Sequence, residues 1–199
     1  MLKKLKYEIK NSLVKDLKTT LYISALYKNE PISKSLDSIF GSTISKAMKV
    51  DSFKSDFGKT IEVYGNGNID KLLLVGLGDK KKFNSDKLRG IAANIIRNVE
   101  LKKITSVTVD SKSFNLDNND YAQSFAEGFV LGRYNFLEYK TESKKDSKLS
   151  KISVLGDCNK LYLEKGDFLG EAVNYSRDLG NHPPNILTPT YLANEALEI

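Results

Sequence analysis

The feature that most constrains the fold is the run Lys71 to Leu77, Lys-Leu-Leu-Leu-Val-Gly-Leu. A strand with one wet face alternates apolar and polar residues, because successive side chains point to opposite sides. This run is continuously apolar, so both faces of the strand must be covered, as in a sheet layered between helices. Its neighbours agree. Thr60–Tyr64 and Lys71–Leu77 read as two strands flanking Gly65-Asn66-Gly67-Asn68, a composition suited to positive φ angles and a hairpin connection.

The rest of the chain alternates between the two periods. Thr20–Tyr27, Ile104–Val109 and Ile152–Leu155 read as further strands. Pro31–Met48 carries Ile32, Leu36, Ile39, Phe40 and Ile44 at helical spacing, with a break at Gly41. Ser85–Leu101 is the clearest helix: Ser85 can cap it, and Leu88, Ile91, Ala92, Ile95, Ile96 and Val99 make one stripe. Asn119–Tyr134, with Phe125, Phe129 and Val130 inward, and Leu161–Leu179 are two more helices, and Thr141–Lys151 is a charged surface loop. The fold class implied is α/β, a mixed sheet between helices, with the Thr20, Thr60, Lys71, Ile104 and Ile152 strands in one sheet.

Composition excludes several classes. Apolar residues make up 40% and charged residues 28% of the 199, the balance of a soluble globular chain with room for one full core. The longest apolar stretch, Leu72–Leu77, is too short to span a bilayer, so no membrane partner is expected. The opening Met-Leu-Lys-Lys-Leu-Lys has no apolar region of a secretory signal behind it. A single cysteine, Cys158, excludes an internal disulfide and fits a reducing, cytoplasmic location. The formal charge of +6 invites nucleic acid, but 27 lysines against 4 arginines are spread along the chain and give little means of reading bases. At most weak, non-specific nucleic-acid binding is expected.

Candidate chemistry is sparse. Gly76-Leu77-Gly78 follows a strand and precedes a helix, where backbone donors could cradle a phosphate, yet Lys81 stands where a dinucleotide fingerprint needs its third glycine. A plain turn is the stronger reading. His182, the one histidine, has no Asp, Glu or Cys at metal-ligand spacing, and a helix separates it from Cys158. No catalytic, cofactor-binding or metal-binding residue is assigned in this chain.

The most informative segment lies near the end. Ser176–Leu192 holds three of the four prolines, Pro183, Pro184 and Pro189, together with His182. A helix should close at Gly180 through a left-handed glycine, the two prolines should force an extended stretch, and Thr188-Pro189 should cap and start a last helix, Pro189–Ile199. Arg177, Asp178, Leu179, Asn181, Pro183, Pro184, Asn185, Leu187, Thr188, Pro189, Leu192 and Ala193 fit the run Ala-Arg-Asp-Leu-x-Asn-x-Pro-Pro-Asn-x-Leu-Thr-Pro-x-x-Leu-Ala. In this the chain resembles the start of the catalytic domain of the leucyl aminopeptidase family. Lys71–Asp79 with the helix after it, and Ala126–Thr141, resemble the family's N-terminal domain in the same order.

The resemblance implies a macro-domain-like N-terminal domain over residues 1–158. Residues 159–199 would then be an interdomain helix and the first segment of the C-terminal peptidase domain. It implies a parent enzyme that removes N-terminal residues from peptides with two divalent metal ions, zinc or manganese, bound with the substrate in that second domain. The family's lysine, aspartate and glutamate ligands and its Asn-Thr-Asp-Ala-Glu-Gly-Arg run fall beyond the matched segment. No position here inherits a metal or catalytic role. The chain is thus expected to be a non-catalytic N-terminal part that supports a homo-hexamer. The alternatives for this domain are a DNA-binding module and a small-ligand site in a macro-like cleft. The apolar stripe Leu192, Ala193, Ala196 and Leu197 on the last helix accords with a further covering domain.

Overall fold

A computed structural model describes residues 4–65, 67–102, 104–140 and 148–198. One sheet of six strands organises it: β1 (Lys6–Lys10), β2 (Thr19–Tyr27), β3 (Thr60–Tyr64), β4 (Ile69–Gly78), β5 (Ser106–Asp110) and β6 (Lys151–Leu155). The order is β1-β6-β5-β2-β4-β3, with every pair parallel except the antiparallel β3–β4 edge. The helices are α1 (Lys34–Ile39), α2 (Thr43–Val50), α3 (Ser85–Leu101), α4 (Ser111–Phe114), α5 (Asn119–Gly132), α6 (Lys160–Asn181) and α7 (Pro189–Glu198).

The covered strand is where the sequence places it. Along β4, Leu73 and Val75 join one core with α3 and α5, while Leu72 and Leu74 join a second core with α1 and α2 on the other face. The five expected strands share one sheet, and Ile91 and Ile95 of α3 are 1% exposed. Gly41, with φ of 59°, separates α1 from α2.

Several expectations are corrected. The sheet gains a sixth strand, β1, whose Tyr7 is buried against α6, and a short α4 comes directly after β5. Asn84, not Ser85, caps α3: its side chain accepts from the Lys87 amide at 3.0 Å. Asn118 likewise caps α5, which ends at Gly132 rather than Tyr134. Gly180 does not close α6. The helix runs on through Asn181, and His182 turns extended because a residue before proline is driven out of the helical region. The two prolines do not hold an extended stretch: the Pro183 carbonyl accepts from the Ile186 and Leu187 amides at 2.9 and 3.0 Å, which closes a turn. Gly65 does not take positive φ; a Cβ there would lie 2.0 Å from the Ile69 carbonyl oxygen, so the residue is small because the hairpin closes on itself. Of the expected loop Thr141–Lys151, residues 141–147 lie outside the described residues, and Lys151 already belongs to β6.

Three helices stack on one face through glycines. A Cβ on Gly128 of α5 would meet the Arg89 carbonyl oxygen of α3 at 2.3 Å, and one on Gly132 would meet Ile96 and Ala93 at 2.5 and 2.6 Å. On the other side of α5, Gly166 and Gly170 of α6 lie against Gln123, Ala126 and Val130 just as closely. Absent side chains let these backbones approach, so α5 is wedged between α3 and α6. The consequence for function is positional: α6 is held in fixed register to the sheet, and the segment attached to its end is aimed by it.

Candidate functional site

The proline-rich segment begins where α6 ends, and the structure gathers around it the residues that most distinguish the sequence. Tyr134, just past α5, donates its hydroxyl hydrogen to Asp178 at 2.9 Å and accepts from the Asn181 amide at 2.9 Å. Burial, and then the bond to the Asp178 carboxylate, raise the Tyr134 hydroxyl above the ordinary tyrosine value. The Arg177 guanidinium lies 5.4 Å from the Tyr134 ring centre, within cation–π range. Two stretches about 44 residues apart in sequence thus meet at one tyrosine.

His182 continues the cluster. Its Nδ1 is 2.6 Å from the Tyr139 hydroxyl, and its ring packs edge-on to Phe136 at 5.5 Å and beside Tyr191 of α7 at 6.0 Å. Thr188 caps α7, its hydroxyl accepting from the Tyr191 amide at 3.2 Å, and Pro189 is the first helical residue, as the spacing requires. The Tyr175 hydroxyl donates to Glu195 across the α6–α7 gap, and that bond to a carboxylate pushes Tyr175 up to about 12. The hydroxyls of Tyr134, Tyr139 and Tyr175 thus tie the end of α6 to the 134–139 segment and to α7.

Among the described residues no metal-ligating set accompanies it. Cys158 precedes α6 and His182 comes after it, which puts ~30 Å of helix between them. Burial, reinforced by Asp117, pushes the Cys158 thiol up to about 11, so it stays protonated at neutral pH. Among the described residues no three His, Cys, Asp or Glu stand close enough to hold a metal ion. The donors present therefore do not fit a two-metal pair.

At the sheet's carboxyl ends, where open α/β sheets commonly take ligands, the gap between β2 and β5 is filled by the chain itself. Between β2 and β5 the Ser113 hydroxyl of α4 accepts from the Ala25 amide at 3.0 Å, and Asn115 donates to the Tyr27 hydroxyl at 2.7 Å. Asp110 beneath them is occupied by Ser24, at 3.1 Å, and by the amides that open α4; burial nevertheless raises its carboxyl. Gly76-Leu77-Gly78 is the end of β4 rather than a turn, and the amides of its two glycines are not free for a phosphate. The Gly76 amide donates to Lys59, the Gly78 amide to Ser55, and the Gly76 carbonyl accepts from Gly58. A Cβ on Gly76 would sit 2.2 Å from the Asp56 carbonyl oxygen, which explains the glycine by packing alone. The open cleft nearby is lined by Lys28, Asn29, Asp79, Lys80 and Lys81, not by the glycines. Lysines of the cleft and beyond it are interleaved with carboxylates: Lys28 pairs with Asp56, Lys71 and Lys102 with Glu62, and Lys151 with Glu8.

With this geometry in place, comparison with known proteins is decisive. The N-terminal domain of the cytosol aminopeptidase family matches residues 24–143, more than half of the chain. The chain belongs to the cytosol aminopeptidase family. A probable cytosol aminopeptidase of Geotalea uraniireducens (strain Rf4) is 33% identical over 177 residues, covering 82% of this chain and 35% of the relative. One from Alkaliphilus metalliredigens (strain QYMF) is 28% identical, covering 98% of this chain and 42% of its own length. In three dimensions a tomato leucine aminopeptidase mutant superposes with a TM-score of 0.78 at 22% identity, over 99% of this chain and 42% of that one. The bottromycin maturation enzyme BotP superposes at 0.70 and 21%, over 90% and 36%. These likenesses establish the fold, a mostly parallel six-stranded sheet with helices, as that of the family's N-terminal domain. The chain spans about two fifths or less of the length of these relatives. Among the described residues, no helix is long and apolar enough to cross a membrane.

Proposed function

We propose that this chain is the non-catalytic N-terminal part of a two-metal cytosolic aminopeptidase that trims N-terminal residues from peptides. On this reading residues 1–158 form the α/β domain, and residues 159–199 form the linker helix and the first segment of a peptidase domain. The zinc or manganese ions and the peptide belong to that second domain, whose ions would polarise the scissile carbonyl and activate a water. Family membership and the relatives' greater length support the parentage.

The observation that carries the structural role is the outward side of α6 and α7. Leu161 and Phe168 are 71% and 70% exposed on α6, whose other side is packed, and Leu192 and Leu197 are 48% and 86% exposed on α7, which buries none of its residues. Large apolar side chains lined up this way mark surface that another body covers. The proposed covers are the peptidase domain and neighbouring subunits of a homo-hexamer. The test is turnover of a leucine anilide by the purified 199-residue chain with excess manganese or zinc. None is expected, since nothing here would bring a bound water toward neutral pKa. Reproducible, chelator-sensitive turnover by rigorously pure protein would overturn the assignment.

A further inference from the structure

A carboxyl group buried beneath α6 takes no part in the cluster around the proline-rich segment. Asp167 keeps 2% of its surface, and its side chain takes a hydrogen bond from the Tyr7 hydroxyl at 2.6 Å. Tyr7 is 6% exposed and lies on β1, an edge strand, so this bond fastens the outermost strand of the sheet to the long helix. The charged groups around the pair come from each neighbouring element: Glu171 one turn along α6, Lys4 at the entry to β1, and Arg133 past the end of α5. Arg133 is itself bridged to Glu100 of α3 at 3.0 Å. Gly166 and Gly170 lock the same stretch of α6 against α5, so the carboxyl cannot swing to water unless the helix lifts.

We propose that Tyr7–Asp167 is a proton-operated latch, in which uptake of a proton by Asp167 in mildly acidic medium seats α6 more firmly on β1. The balance of forces explains the direction. Burial penalises the carboxylate most and Glu171 repels it, and together these outweigh the Tyr7 hydrogen bond and the attraction of Lys4 and Arg133. The Asp167 carboxyl is thereby raised from 3.8 to about 6. In a lifted helix the group would return to its ordinary value. The closed state therefore binds the proton more tightly, and closure strengthens as pH falls. The contribution is complete below the ordinary value and is lost as pH rises through about 6. In the limit it shifts the opening equilibrium roughly a hundredfold, and between pH 7.5 and 5 about tenfold. Because α6 carries Asp178, Asn181 and leads into His182, the latch sets how firmly the proline-rich segment is held relative to the sheet. This inference stands whether or not the aminopeptidase parentage holds.

The experiment is hydrogen exchange by mass spectrometry on the whole chain, corrected for intrinsic rates, across that pH range. Peptides from α6 and β1 should open about tenfold less at pH 5 than at pH 7.5. In Asp167→Asn that dependence should vanish. A wild-type change below about threefold, or the same dependence in Asp167→Asn, refutes the latch. Tyr7→Phe removes a bond that favours the carboxylate, so its midpoint should move upward; an unmoved midpoint also counts against the proposal. Should either variant fail to fold, titration of the Asp167 carboxyl carbon by NMR in the wild type decides. A midpoint at or above about 5 supports the latch and a lower one overturns it.

Discussion

Replacing Gly166 with alanine tests the helix stack that aims the proline-rich segment. The new Cβ would sit 2.2 Å from the Gln123 carbonyl oxygen, 2.9 Å from the Ala126 Cβ and 3.0 Å from the Gln123 carbonyl carbon. These are atoms of the α5 backbone and a Cβ fixed to it, so no rotamer change relieves them. Nor can α5 retreat, since Gly128 already places it against Arg89 and Ala92 of α3. Restoring ordinary contact requires a shift of about 1 Å between packed helices, at the upper end of overpacking costs, about 3 kcal/mol. Alanine returns about 1 kcal/mol as the better helix former, leaving a net loss of about 2 kcal/mol. Gly90 of α3 supplies the control, for a Cβ there meets nothing within 4 Å and the residue is exposed. Gly90→Ala should therefore gain about 0.5–1 kcal/mol. Urea unfolding monitored by circular dichroism reads both, with melting shifts of about 2–4 °C per kcal/mol expected at this size. If Gly166→Ala matches Gly90→Ala within about 0.5 kcal/mol, the wedge is not tight and the reasoning fails.

Two more outcomes rest on the same structure. Ile95→Ala should cost about 2–5 kcal/mol, because the side chain is 1% exposed between α3 and the sheet; a loss below about 0.5 kcal/mol would place that face in solvent. Labelled duplex DNA should bind only at low salt and without sequence preference, as expected of net +6 carried mostly on lysines paired or scattered among carboxylates; tight, sequence-selective binding at about 0.15 M salt would favour a nucleic-acid role instead.

Much of the sheet was readable because β4 and α3 state their burial locally, in an unbroken apolar run and a six-residue stripe. The start of α7 was readable because Thr188 and Pro189 act through their nearest neighbours, whereas the end of α6 and the turn closed on the Pro183 carbonyl were not. The features that escaped depend on distant partners. Strand β1, Lys-Tyr-Glu-Ile-Lys, is short and charged, and it is a strand only because β6, 145 residues on, offers it a ladder. Gly128, Gly132, Gly166 and Gly170 acquire their role only where the helices lie side by side. Nothing near Asp167 in sequence announces a tyrosine 160 positions earlier.

Those unreadable features converge on α6. Its inner side joins a buried carboxyl, a leucine with no exposed surface at Leu163 and two glycines in near-contact with α5, so neither rotation nor sliding is free. Its outer side leaves Leu161 and Phe168 in water at a cost of ~2 kcal/mol each relative to burial. A helix fixed on one side and unsatisfied on the other transmits position: displacement of the sheet moves Asp178, Asn181 and His182 with it, because Tyr134 and Tyr139 bind them back to the end of α5. On the function proposed above, a domain with no metal set among its described residues would in this way govern the geometry of the peptidase domain it leads into. Loosening the α5–α6 seam should accordingly disturb the Tyr134–Asp178 and Tyr139–His182 contacts before it disturbs the β2–β4 centre of the sheet.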